Sequence, residues 1–148
     1  MKISVDASKY SDSSIPVPAD VYSVVCKSFE LSVKDEAEFK KVRAEGKYPY
    51  FKASFEIIEG PYAARRVFAN MTINPEPTSN GNSKNFLLVN YLKIMGLLEG
   101  DSLDDIDPKE LAEDLINKEV KIKVAVKDNE YNGEVRQQNN IQKFLSPD

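Results

Sequence analysis

The chain has 148 residues, 41% of them hydrophobic and 30% charged, which is typical of one globular domain and excludes a disordered or membrane-spanning chain. Its net charge of −4 argues at first against a nucleic-acid partner. The absence of histidine excludes Ser-His-Asp and Cys-His nucleophile sites and most catalytic zinc sites, so we start from binding rather than catalysis.

The first 20 residues are predicted to form an N-terminal arm or an edge strand, ahead of a folded domain over residues 21–148. They lack the basic and apolar regions of a secretory signal, so a cytoplasmic location is expected. Residues 21–33 are rich in β-branched and aromatic residues and are predicted to form a long strand. Cys26, the single cysteine, lies within it and is expected to be buried rather than reactive.

A charged connection over residues 35–49 contains a predicted helical turn and leads into two strands with alternating apolar and polar residues. The apolar face of residues 50–58 consists of Phe51, Ala53, Phe55 and Ile57. The apolar face of residues 65–73 consists of Val67, Ala69, Met71 and Ile73. Gly60 and Pro61 between the two segments predict a turn, so the pair is expected to form a hairpin.

Residues 83–96 change to helical spacing, and a second helix is predicted to begin at Pro108 with Asp107 as its cap. The surrounding segment, residues 99–114, holds eight acidic residues and one lysine, a local charge of −7 that leaves +3 on the rest of the chain. The overall negative charge therefore does not exclude nucleic acid from the remaining surface. The segment lacks the residue order of a calcium loop, so no metal cofactor is expected.

Residues 119–127 alternate again, and a last strand is predicted within residues 134–145. Three strands, a helical segment and two further strands are the element order of the OB-fold, a five-stranded Greek-key barrel. The sequence thus predicts an all-β protein with accessory helices, built as an OB-fold with a helical insertion between strands 3 and 4. A split α+β sheet with the same elements is the alternative.

The non-core face of the second and third strands carries the strongest functional signal. It is expected to display Tyr50, Lys52, Arg66 and Phe68, with Arg65 at the strand entrance. Aromatic rings can stack on bases while cations hold the adjacent phosphates. In the alternative interpretation, Phe68 packs under the arm or a loop and the arginines are solvated.

Two further groups of residues are weaker candidates for the same interface. Lys121 and Lys123 form a basic stripe with Lys127, which a merely solvated strand would also produce. Tyr48 and Tyr131 lie in the two loops predicted to flank the groove, although loop tyrosines often serve local packing.

Several stretches resemble a family of small bacteriophage proteins, long known as a domain of unknown function beside phage recombination and replication genes. The similar stretches are GKYPYFKASFEIIEGPYAARRVFANMTI, LLVNYLKIMGL and KEVKIKVAVKDNEYNGEVRQQNNIQKFLSP. The matches at Gly60, Tyr62, Gly96, Tyr131 and Gly133 are typical of fold determinants, while Ala64 stands where the family pattern has glycine. The resemblance implies an OB-fold single-stranded DNA-binding protein.

The resulting prediction is a protein without enzymatic activity that protects or presents single-stranded DNA during replication or recombination, with RNA left open as a ligand. Replication or recombination proteins would bind through the acidic segment 99–114, and a homo-oligomer is compatible with the sequence. The chief alternative is an OB-like barrel serving protein interaction or virion assembly without nucleic acid. A third is a magnesium-dependent nuclease built on Asp104, Asp105 and Asp107.

Overall fold

A computed structural model describes residues 1–5, 15–100 and 106–147. Within them the protein is predominantly β, with one open antiparallel sheet and three helices. The strands are β1 (Asp20–Leu31), β2 (Tyr50–Ile57), β3 (Arg66–Thr72), β4 (Glu119–Tyr131) and β5 (Glu134–Leu145). The helices are α1 (Glu36–Ala44), α2 (Phe86–Ile94) and α3 (Pro108–Leu115). None of these helices has the length and hydropathy needed to cross a bilayer.

The strands are ordered β3-β2-β1-β4-β5 across the sheet. The long central strand β1 pairs antiparallel with β2 on one side and β4 on the other. The predicted order of elements is therefore confirmed, but the predicted closed barrel is not seen. Within the described residues no hydrogen-bonded ladder joins the edge strands β3 and β5. The sheet curls enough to bring these two edges near each other without closing the seam.

One side of the sheet packs on α2 and α3 and holds the core, as the period-two alternation predicts. The amphipathic pattern of α2 buries Leu88, Tyr91 and Leu92. The Tyr91 ring stacks on Phe144 of β5 at 4.3 Å between centroids and meets Phe55 of β2 edge-on at 5.5 Å. These aromatic contacts hold α2 against strands from both halves of the sheet.

The helix α3 begins where the sequence predicts. The Asp107 carboxylate accepts a hydrogen bond from the Lys109 backbone N–H at 2.9 Å, and Pro108 is the first helical residue. Leu111 and Leu115 are buried in the core, so the acidic face of the helix is left towards solvent.

The N-terminal arm spans the seam between the sheet edges. The Asn139 side chain of β5 accepts a hydrogen bond from the Val17 N–H at 2.9 Å and donates one to the Val17 carbonyl at 2.8 Å. The Val17 side chain is buried, and the Arg65 guanidinium, just before β3, donates to the Ile15 carbonyl. Residues 1–5 and 15–19 form no strand.

The β4–β5 hairpin is longer than predicted. Because β1 pairs only with residues 119–124 of β4, residues 125–131 and 134–140 continue as a two-stranded ribbon, here called the β4–β5 ribbon. Asn132 and Gly133 join its strands with φ values of 51° and 79°. This two-residue Asn-Gly connection has the positive φ values of a tight hairpin turn.

Candidate functional site

The side of the sheet away from the core is called the outer face, and an aromatic ring stands on it at β3. Phe68 is 68% exposed, whereas its neighbours Val67 and Met71 are buried on the other side. The prediction that Phe68 lies on the non-core face is therefore confirmed. A side chain this exposed contributes little to the stability of the fold.

The residues beside Phe68 are small. In the sheet register Phe68 lies opposite Ser54 of β2, which in turn lies opposite Ser28 of β1. The two serine hydroxyls hydrogen-bond each other at 2.6 Å, and Ser54 is buried although it is on the outer face. The row of the sheet that contains Phe68 therefore continues with two small polar side chains on the outer face.

The charges around Phe68 are mixed with a positive excess. Lys52 lies in register with Asn70 on β3 and with Glu30 on β1. Arg66 lies opposite Glu56, but the Glu56 carboxylate is 3.7 Å from the Lys27 ammonium. No ion pair forms between Arg66 and any other described residue. The Arg66 guanidinium is thus available to an external anion.

The two adjacent arginines have different surroundings, which the sequence did not predict. Arg65 is half-buried and precedes β3. Its guanidinium donates a hydrogen bond to the Ile15 carbonyl of the arm. Ala64 before it has a φ of 74°, the left-handed conformation that favours glycine. A glycine at this position would adopt the same conformation without strain.

Tyr50 and Tyr48 differ from each other in their surroundings. Tyr50 is half-buried and lies opposite Thr72, four residues along β3 from Phe68 and so about 13 Å from it. Lys52 and Asn70 lie between these two aromatic positions. Tyr48 lies before β2 with the Arg43 guanidinium 3.6 Å from its ring centroid, so one ring face is already covered.

The β4 lysines share the outer face but not the immediate neighbourhood of Phe68. Lys121 pairs in register with Ser23 and Lys123 with Val21. Ser23 is five residues along β1 from Ser28, a distance of about 16 Å. The sheet row containing Glu56 and Glu119 lies between the two regions. Tyr131 ends β4, and its side chain lies outside the described part of the structure.

A cleft of about 360 Å³, here called the edge cleft, lies beside Phe68 where β3 faces the β4–β5 ribbon. Its lining includes Phe68, Arg66, Asn70, Gln137 and Gln138, and it is bounded by Pro16 of the arm. Gln138 accepts a hydrogen bond from Asn129 at 2.6 Å. The sequence did not predict Asn70, Gln137 and Gln138 as site residues. They come from two segments that are far apart in the chain, and no local pattern connects them.

A larger groove of about 640 Å³ lies elsewhere, between the end of β1 and the helices α1 and α3. Phe29, Leu31, Phe39 and Ile106 contribute to its apolar lining. The groove adjoins the acidic segment predicted to recruit proteins, of which residues 101–105, including Asp104 and Asp105, lie outside the described residues. Among the residues that are described, no group of three or more carboxylate or thiol side chains could hold a metal ion.

The model of a family described as "Protein of unknown function (DUF669)" matches residues 3–146. Comparison with curated proteins finds no match.

Proposed function

The chain belongs to the DUF669 family, and we propose that it is a single-stranded-DNA-binding protein of bacteriophage type. It would protect or present single strands during replication or recombination in the host cytoplasm, without an enzymatic step. The observation that carries the proposal is the exposed Phe68 ring with Arg66 and Lys52 beside it. Single-strand binders combine such stacking rings with nearby cations that follow the phosphates.

The assignment of this sheet to the OB-fold is part of the same proposal. The order β3-β2-β1-β4-β5 is that of an OB-fold, in which β3 and β5 would meet at the seam of a partly open barrel. The helix α2 follows β3 in the chain and packs near β3 and β5, as an insertion between the third and fourth strands would. Phe68, Arg66 and Lys52 then lie on the strand 2–3 surface that OB-folds use for oligonucleotides.

Fluorescence anisotropy with labelled oligo-dT at several salt concentrations tests the proposal. The protein should bind, and the log-log dependence of affinity on salt should have a slope of about −0.7 for each phosphate neutralised. The matching duplex should bind more weakly because its bases are not available for stacking. Equal affinity for duplex and single strand, or no binding at low salt, would contradict the proposal.

A protein-interaction module is the second candidate, and the apolar groove beside α1 and α3 favours it. In that case oligo-dT would not bind, and substitutions at Leu31 would affect assembly. The two functions are compatible if the groove and the acidic segment 99–114 recruit replication or recombination proteins to a bound strand.

A further inference from the structure

We propose that the edge cleft binds the hydrogen-bonding edge of a nucleobase, so that the protein discriminates among bases instead of binding all single strands alike. This inference rests on the proposed function, because it specifies what the surface beside Phe68 recognises. Three features of the cleft support it: the main-chain groups of an edge strand, side-chain amides without a hydrogen bond among the described residues, and the adjacent exposed ring.

The main chain of β3 presents hydrogen-bonding groups to the cleft. The Ile57 N–H donates to the Arg65 carbonyl at 2.9 Å, and the Ile73 N–H donates to the Pro49 carbonyl at 3.3 Å. Antiparallel pairing alternates, so the odd-numbered residues of β3 bond to β2 and the even-numbered ones point away from it. The N–H and C=O groups of Phe68 and Asn70 therefore face the open edge. Within the described residues no strand forms a ladder with this edge of β3.

Two side-chain amides add to this row. Asn70 is two residues beyond Phe68 on the same face of β3, and Gln137 lies across the cleft on β5. Both side chains are exposed, and neither makes a hydrogen bond within the described part of the chain. A carboxamide offers an acceptor beside a donor, which matches the N6 and N7 groups of adenine in a bidentate pair. Adenine is accordingly the base we expect the cleft to favour.

The dimensions of the cleft fit a single base better than an added peptide strand. Its volume of about 360 Å³ is at the lower end of the range for small-molecule sites, about 300–1,000 Å³. Strand addition needs a long unobstructed edge, whereas here Pro16 of the arm and the β4–β5 ribbon bound the cleft. A base stacked on Phe68 would place its edge towards these groups.

The test compares oligonucleotides of one length that differ only at a central position: adenine, cytosine, thymine or an abasic site. Each good bidentate contact discriminates by about 5- to 150-fold in affinity, so the wild-type protein should prefer adenine by a ratio in this range. Asn70→Leu and Gln137→Leu should bring the ratio towards one. Because neither removes a cation, the salt dependence of binding should not change. Gln142→Leu, an exposed glutamine of β5 outside the cleft, should keep the wild-type ratio.

The outcomes separate this inference from the proposed function. Binding to all the oligonucleotides with equal affinity, but with a normal salt slope, would overturn base recognition and leave single-strand binding intact. A base preference that survives in both Asn70→Leu and Gln137→Leu would also overturn it, because recognition would then reside elsewhere. No binding to any oligonucleotide at low salt would overturn both. Melting temperatures close to that of the wild-type protein confirm that the exposed substitutions preserve the fold.

Discussion

Two phenylalanines on neighbouring strands have opposite roles. Phe55 of β2 is fully buried and contacts the rings of Tyr91 and Phe144, at centroid distances of 5.5 Å and 5.4 Å. Phe68 of β3 is 68% exposed and has no ring neighbour among the described residues. The two residues are close in the sheet, because Phe55 pairs with Val67, the residue before Phe68. The side of the sheet, not the residue type, therefore decides whether an aromatic stabilises the fold or is available for a ligand.

The largest expected effect is a difference in stability between substitutions on the two sides of the sheet. Phe55→Ala removes a core ring and should lower the free energy of unfolding by about 3–5 kcal/mol. Phe68→Ala should change it by no more than about 0.5 kcal/mol, as exposed substitutions usually do. Urea unfolding followed by circular dichroism measures both. Similar destabilisation by the two substitutions would show that Phe68 supports the core after all.

The affinity for oligo-dT tests whether the exposed Phe68 ring takes part in binding. Loss of a stacking ring costs about 1–3 kcal/mol per base, so Phe68→Ala should weaken binding by roughly 5- to 150-fold. The salt slope should stay nearly constant, since no phosphate contact is lost. The matched control is Phe86→Ala, which removes a 42% exposed ring on α2. If Phe68→Ala binds as tightly as this control, the stacking role must be sought at Tyr50 or Tyr131.

Local patterns explain how much of this architecture the sequence could predict. Strict alternation in residues 50–58 and 65–73 correctly assigned the faces of Phe55 and Phe68. The Asp107-Pro108 pair correctly marked the start of α3. Each of these signals depends on residues within a few positions of one another, where strand or helix geometry fixes the outcome.

Long-range contacts could not be predicted in the same way. The hydrogen bonds between Val17 and Asn139 join residues 122 positions apart, and no periodicity encodes them. The same holds for the contact of Arg65 with the arm and for the amides of the edge cleft. Barrel closure was predicted from strand order, but order does not determine whether the last two edges come within hydrogen-bonding distance.

An intermediate effect concerns titratable groups on the core side. Burial raises the pKa of the Cys26 thiol and of the Tyr91 phenol in the folded protein. The unfolded chain loses these protons first, from about pH 8.5 for cysteine and about pH 10 for tyrosine. It then binds fewer protons than the folded state, so the free energy of unfolding should fall as pH rises. The fall should approach about 1.4 kcal/mol per pH unit for each group.

Urea unfolding between pH 7 and pH 10.5 measures this fall, and Tyr91→Phe isolates one contribution. The Tyr91 side chain is fully buried and packs as an aromatic ring against Phe55 and Phe144, so the variant should fold and lose stability less steeply above pH 10. An identical pH dependence in the variant and the wild-type protein would show that the phenol ionises equally in both states.

The smallest expected effect compares the cations of two regions on the outer face. Arg66 is beside Phe68, whereas Lys123 is beyond the row of Glu56 and Glu119 and opposite Lys143. If Arg66 neutralises one phosphate of a bound strand, Arg66→Ala should flatten the salt slope by about 0.7. Arg66→Lys should keep the slope, because lysine still supplies the charge.

Lys123→Ala should change the slope less, since a strand stacked on Phe68 must pass two carboxylates to reach that lysine. Equal flattening by Arg66→Ala and Lys123→Ala would instead mean that the bound strand follows the whole outer face, and that Phe68 marks one point on a longer path.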